Sequence, residues 1–522
     1  MGTTNYDWFL NRKLDNLDFI KELDEKELNR SLFELDPVPV FYTKPFKHQR
    51  ALFLLCQQYD QILIFADLGT GKSWVILNDI AYKKLSGKLD KPALFITPDV
   101  INTNNILEQV SLHTPHLKAV GLIGHKKERL KALMQPADLF IINYTGLQVL
   151  LSEGSVKDKN GKTHRGIDTY TIKEFASRFS YVAFDEITFL KNARSLNYKV
   201  CNTLSDSIKY RYGLTGTPLG RDSLDLWSQF MTIDKGATLS NNFFLYRAIF
   251  FKERKTYFAS IWKLDDKKKD ILHTTLKNRS IRYSAEECVD LPERIHSTIR
   301  VDLLDEAKEY YNKIVRNIID SKTDKWAAAI KNHFIKLRQI CSGFLLYRAE
   351  DDESGNNQVI TFKCEKDQVL EQLLTNLPDN HKMLIFHEYI KSGERITGIL
   401  KKLKIEHRWI WGGSKDNSGA IEEFKHNTKL RVLVLNAHSG SYGLNLQVAN
   451  FVVYYEAPLS PIVREQSLKR AHRTGQTKTV YVYDLVTNRS IEEKIMFYLQ
   501  EGKNLFSELI EGKFKVEELL NK

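Results

Sequence analysis

Four short runs in the first half of the chain, Gln61–Ala66, Ala93–Thr97, Leu139–Asn143 and 181–185, are apolar almost without interruption. A strand with one wet face alternates polar and apolar residues, whereas a strand covered on both faces has no reason to. Helical segments separate the runs, so they read as parallel strands of βαβ units. The rhythm stops and then resumes at Lys382, where Met383–His387, 408–411, Val432–Asn436, 451–455 and 480–485 are strand candidates. Between the two sets, residues from about 235 to 366 are charged and read as mostly helical, with helical apolar spacing over 303–319 and 325–340. A polar, glycine-containing stretch at 153–166 reads as an exposed loop, an acidic tract at 350–358 as a linker, and 18–33 as a short helix. The expected fold class is therefore α/β: two units with parallel sheets, a helical insertion between them and a short N-terminal extension. The expected boundaries are 1–40 (extension), 41–235 (first α/β unit), 236–370 (insertion and linker), 371–500 (second α/β unit) and 501–522 (C-terminal helix).

At 522 residues the chain is too long for one small core, and 42% hydrophobic with 27% charged residues is ordinary for a globular protein. Lys and Arg number 77 against 65 Asp and Glu, a formal charge of +12 that suits a polyanionic partner. The five cysteines are scattered without a C-x-x-C pair, which argues against a zinc site and a disulfide framework and for buried thiols in a reducing compartment. No apolar run is long enough to span a bilayer and the N-terminus lacks a signal-peptide pattern, so no membrane contact and a cytoplasmic location are expected.

Three motifs carry chemistry. The octapeptide at 66–73 follows an apolar run and holds Gly69, Gly71, Lys72 and Ser73. Glycines let backbone N–H groups curl around phosphates, the lysine reaches the outer phosphates, and the hydroxyl serves Mg²⁺. Ala66 occupies the first glycine position of that pattern, and taken alone the segment also fits a glycine-rich strand-to-helix turn. The second motif is the apolar run ending in Asp185-Glu186, where an aspartate can hold Mg²⁺ and a glutamate can orient or deprotonate an attacking water. Alone, such a pair also fits a helix cap. In the third, Arg470 and Arg473 are spaced i, i+3 and would share one face of a helix. They fit a solvated basic helix or a pair of arginines that stabilises charge on a transferring phosphoryl group.

Together and in this order, the motifs resemble those of the Snf2-type (SWI/SNF-related) superfamily 2 ATPases. The resemblance runs over roughly 44–500, across both α/β units. Phe46-Lys47-His48-Gln49 is similar to the family's adenine-reading segment, with Gln49 as the base contact. Asp67-Leu68-Gly69-Thr70-Gly71-Lys72-Ser73 matches its phosphate loop, and 94–98 and 139–147 its DNA-contacting strand ends. Asp185-Glu186-Ile187-Thr188 matches its DEAH-type box, and 214–219 the motif coupling the ATP site to DNA. Residues 278–292 and Leu337-Arg338-Gln339-Ile340-Cys341 resemble marks of the middle region. Residues 384–387, 439–446 and 466–476 resemble the motifs of the second lobe. Thr188 stands where the family has histidine, and Pro458-Leu459-Ser460-Pro461 lacks the usual tryptophan.

The resemblance implies two RecA-like lobes and an ATP- and Mg²⁺-dependent DNA motor, a minimal member of viral or bacterial kind. Lys72, Asp185, Glu186, Arg470 and Arg473 would be catalytic. Gln49, Asp67, Leu68, Gly69, Thr70, Gly71, Lys72, Ser73 and Gly443 would hold the nucleotide, and Ser73 and Asp185 would hold Mg²⁺. Thr97, Asn143, Thr145, Thr215, Ser439 and Gly440 would touch DNA that is duplex, forked or branched. A strand-separating or branch-migrating helicase and a non-hydrolysing DNA clamp are the competing readings; an RNA helicase fits the 278–292 and 473–476 features less well.

Overall fold

The computed structural model describes residues 13–67, 69–152, 154–157, 163–165, 167–216, 223–255, 260–288, 291–320, 326–347, 358–414, 416–438, 445–473 and 475–501. The chain divides into two compact units, Met1–Asp290 and Leu291–Lys522, a division that falls within the stretch read from sequence as an insertion.

In the first unit the strands are β1 (Gln61–Ala66), β2 (Ala93–Thr97), β3 (Ala119–Gly121), β4 (Leu139–Asn143), β5 (Ser155–Lys157), β6 (Thr163–Arg165), β7 (Tyr181–Phe184), β8 (Tyr210–Thr215), β9 (Phe251–Lys255), β10 (Ser260–Leu264) and β11 (Ser280–Tyr283). Seven form one sheet in the order β11-β1-β8-β7-β2-β4-β3, and every pair in it is parallel. The apolar runs are explained by where alternate residues go. Leu63, Phe65, Leu94, Ile96, Phe140, Ile142, Val182 and Phe184 enter one buried cluster, while Ile62, Ile64, Phe95, Ile141, Tyr181 and Tyr212 enter another. Both faces are dry, and each such side chain contributes about 1.5–3 kcal/mol by its burial.

One expectation is corrected here: part of 153–166 is an antiparallel β5–β6 hairpin rather than only loop. The stretch from 236 to 370 is helical over Phe243–Phe250, Lys269–Leu276, Asp305–Asp320 and Trp326–Cys341, and short strands stand among these helices: β9 and β10 pair as a hairpin, and β11 extends the main sheet beside β1. These strands are too short for their local pattern to separate them from helix. Tertiary pairing decides.

The second unit has β12 (Arg294–Val301), β13 (Phe344–Tyr347), β14 (Gln358–Thr361), β15 (Met383–His387), β16 (His407–Ile410), β17 (Val432–Asn436), β18 (Phe451–Tyr454) and β19 (Val480–Thr487). Its main sheet runs β12-β19-β18-β15-β17-β16, again all parallel. Helices Asp305–Asp320, Trp326–Cys341 and Ile491–Gln500 share a separate apolar cluster. The expected C-terminal helix lies, from residue 502 on, outside the described residues. Both units thus have the parallel, helix-covered sheet of a RecA-like lobe. Among the described residues, no helix is long and apolar enough to cross a membrane.

Helix Lys72–Leu85 is pinned to the sheet by a polar cluster on its inner face. Lys83 pairs with Asp79 one turn earlier, and both side chains are buried. Lys83 Nζ also donates to Cys56 O at 2.7 Å, while Asp79 accepts from Gln57 Nε2 at 2.7 Å and from the Tyr181 hydroxyl at 2.9 Å. The Tyr210 and Tyr212 rings lie under the ammonium at 5.0 and 5.6 Å. A buried pair of this kind adds little net stability, yet losing one partner strands a charge. Asp79→Ala is therefore expected to lower the stability of this unit by about 3–5 kcal/mol. Asp79→Leu/Lys83→Met should recover most of that, as read by denaturant unfolding.

Candidate active site

A parallel sheet sends all its strands' carboxyl ends to one edge, and loops there converge on a shared crevice. In the first unit five consecutive strands, β1-β8-β7-β2-β4, deliver to that edge the phosphate loop, Thr215, Asp185-Glu186, Thr97 and Asn143, in that order.

The phosphate loop is built by conformation as much as by composition. Gly69 (φ +85°) and Gly71 (φ +79°) are left-handed, and a Cβ on Gly71 would run into the Gln49 amide. Glycine at 71 is thus required twice, for its φ and for space. Thr70 closes the turn, its hydroxyl donating to Asp67 O at 2.8 Å. Lys72 is buried, and its ammonium donates to Ala66 O (2.6 Å) and Asp67 O (3.1 Å) at the strand end. Ser73 follows in the first turn of helix Lys72–Leu85, whose N-terminus favours an anion. Leu68 lies outside the described residues.

Gln49 is buried and spans two segments: Oε1 accepts from Phe46 N at 2.9 Å, and Nε2 donates to Thr70 O at 3.3 Å. His48, which the sequence reading passed over for its neighbour, also reaches Thr70 O, 2.6 Å from Nε2. Burial holds the His48 pKa below its ordinary value, so the ring is neutral and Nε2 is the donor in this bond. The clue was its place beside Gln49, but only the fold shows both residues meeting the loop.

Asp185 and Glu186 stand just beyond β7. Asp185 N donates to Ile96 O at 2.8 Å, and its own carbonyl accepts the Tyr144 hydroxyl at 3.0 Å. Its carboxyl is held well above the usual carboxylate range, first by burial and then by Glu186, with the Lys72 ammonium pulling the other way. Glu186 is left-handed at φ +46° without being glycine, a conformation enriched at functional sites. Its Oε2 accepts from Thr215 Oγ1 at 2.9 Å, which ties the DEAH-type box to the end of β8. Two carboxylates forced together beside a hydroxyl-bearing helix start form a hard-oxygen donor set that fits Mg²⁺.

The other expected residues are placed as follows. Thr97 is fully buried, its hydroxyl bonded to Thr103 Oγ1 at 2.8 Å and to Asp99 O at 3.1 Å. Thr215 is equally buried, Asn143 is the N-cap of helix Tyr144–Leu151, and Thr145 in that helix is exposed.

In the second unit, helix Pro461–Leu468 stops before the two arginines. The expectation that Arg470 and Arg473 share a helical face is thus corrected. The chain is drawn off its helical path because Arg470 O accepts Leu446 N at 3.1 Å. Gln476 Nε2 donates to Gln447 O and Ala449 O, both at 2.9 Å, and Gly475 takes φ +94°. Arg470 is buried. Arg473 Nε is buried with no hydrogen-bond partner among the described residues, and burial lowers the pKa of that guanidinium. Ser439, Gly440 and Gly443 lie outside the described residues.

Comparison with known proteins agrees with this layout. A SNF2-related domain matches residues 16–346, and a helicase conserved C-terminal domain matches 365–475. The putative ATP-dependent helicase/translocase YwqA of Bacillus subtilis is 26% identical over 467 residues, covering 87% of this chain and 47% of that protein. The ISWI chromatin-remodeling complex ATPase ISW1 of Saccharomyces cerevisiae is 27% identical over 482 residues, covering 87% of this chain and 39% of that protein. The chain thus spans about half the length, or less, of these curated relatives. A solved SWI2/SNF2 ATPase core from Sulfolobus solfataricus in complex with dsDNA covers 92% of this chain and 97% of its own at 22% identity, with a TM-score of 0.40. With the SNF2-related domain matching well over half of its residues and the helicase C-terminal domain following, this chain belongs to the SNF2-related family.

Proposed function

We propose that this protein is an ATP-driven DNA motor that couples hydrolysis to movement along duplex DNA. The observation that carries the reading is the single carboxyl edge where the phosphate loop, the Asp185-Glu186 pair and Thr215 stand together, with Thr215 bonded to Glu186. The family relationship and the names of the relatives support it.

In this reading Gln49 meets the adenine, and the amides of 67–73 cradle the phosphates. Lys72 exchanges its two carbonyl partners for phosphate oxygens, and Glu186 orients the attacking water. Ser73 and Asp185 would hold Mg²⁺, which when bound neutralises charge developing on the phosphates. The family resemblance assigns Arg470 and Arg473 to stabilising the transferring phosphoryl group and Gly443 to holding the nucleotide. DNA phosphates are met at the strand ends, Thr145 and Asn143 on the first lobe and Ser439-Gly440 on the second. Thr97 and Thr215 hold the backbone there. Such contacts carry little sequence information, which suits a motor that travels over any sequence. The expected domain boundaries and a cytoplasmic setting belong to this proposal.

Glu186→Gln should lower DNA-stimulated ATPase by roughly a hundredfold or more with an unchanged melting temperature, and Lys72→Ala should do the same; near-normal turnover in either would overturn the assignment. Arg473→Ala should reduce kcat by roughly a thousandfold while ATP affinity moves far less. Thr215→Val removes the bond to Glu186 without changing side-chain shape. It is expected to raise DNA-independent hydrolysis and shrink the stimulation by DNA, measured as the ratio of the two rates.

A further inference from the structure

One part of the first unit takes no role in the site above: helix Phe243–Phe250 with the β9–β10 hairpin that follows it. Among the described residues the hairpin pairs only with itself, apart from the main sheet. Its base is closed by the Phe251–Leu264 pairing and by Asp265 N donating to Phe250 O at 2.9 Å. Residues 243–269 carry eight Lys and Arg against three Asp and Glu. This short span therefore holds a large share of the +12 charge of the whole chain.

The charge is interleaved with aromatic rings. The Arg247 guanidinium lies 4.1 Å from the Trp262 ring centre, 5.3 Å from that of Phe244 and 5.8 Å from that of Phe243. Phe243 in turn packs edge-on against Trp227 at 5.4 Å, which roots the stack in the core. Phe244, at its outer end, is 68% exposed. Lys252, Lys267 and Lys269 are exposed as well. Lys252 pairs with Asp265 at 2.9 Å, which offsets one of the few acidic groups. The module is also anchored within the first unit: the buried Tyr246 hydroxyl donates to Ser223 O at 2.7 Å.

We infer that this module binds an unpaired DNA strand, so that the motor engages forked or gapped DNA more tightly than blunt duplex. Exposed aromatic rings take bases only where the bases are free to stack, and the surrounding lysines supply the attraction for phosphates. A duplex offers its phosphates but hides its base faces, so cations alone would suffice for it. The inference rests on the DNA-motor reading.

The test uses the full chain without nucleotide, at one salt concentration. Affinities are measured for a fork with unpaired arms, for a blunt duplex of the same paired length, and for a single strand. The wild type should prefer the fork over the duplex by roughly tenfold, the worth of about one stacked base. Phe244→Ala should remove that preference, and Lys267→Ala/Lys269→Ala should weaken it. Both should leave duplex binding and duplex-stimulated ATPase unchanged. Both changes are at exposed positions, and the second keeps the aromatic stack intact. Equal binding of fork and duplex by the wild type, or an undiminished preference in Phe244→Ala, would overturn the inference. Absence of duplex-stimulated hydrolysis with the fork preference intact would overturn the motor reading alone.

Discussion

The parallel pairing of the two main sheets is the constraint on which the rest depends. Because every strand of the first sheet points the same way, segments far apart in sequence end at one edge. An antiparallel sheet of the same residues would scatter those ends over two edges. Parallel pairing in turn requires crossover helices on both faces, and so requires strands that are dry on both sides. The uninterrupted apolar runs and the convergence of the site are consequences of one topology.

Polar groups brought to that edge do not stand idle. Lys72 caps the carbonyls of its own strand end, Gln49 and His48 hold Thr70 O, and Thr215 holds Glu186. A buried donor or acceptor left unpaired costs about 1–3 kcal/mol, so these internal bonds stabilise the edge. The Thr215–Glu186 bond joins the end of β8 to the carboxylate pair that follows β7.

The second unit applies the same economy of buried charge to hold helix Trp326–Cys341 and the segment after β14 against its sheet. Lys366 is fully buried and donates to Glu492 at 2.7 Å and to Tyr455 O at 2.9 Å. Glu456, also buried, accepts from Glu388 N at 2.8 Å and from the Ser392 hydroxyl. Arg338, from the segment resembling a family helix, donates to Ala457 O at 2.6 Å. Such groups are specific in geometry because any misplacement leaves a charge unpaired in a dry interior.

Much of the architecture was legible in the residues alone. The apolar runs over β1, β2, β4, β15 and β17 announce buried parallel strands, since each is too short for a helix and is separated from the next by a helical segment. Lys72, Asp185 and Glu186 stand out as candidates because phosphate and Mg²⁺ chemistry demands those types after a strand. The short strands β9 to β11, β13 and β14 were not legible, because runs of four or five residues satisfy helix and strand equally until a partner is in place. Nor was the end of the helix at Leu468, which depends on a bond from Leu446 to the Arg470 carbonyl. Local composition is enough to mark the candidate groups for phosphate chemistry and the runs that must be buried. Only the tertiary structure decided which groups meet, such as Thr215 with Glu186, His48 with Thr70, and Arg247 with Trp262, because hydrogen bonds and ring contacts are set by the sheet and loops that carry them.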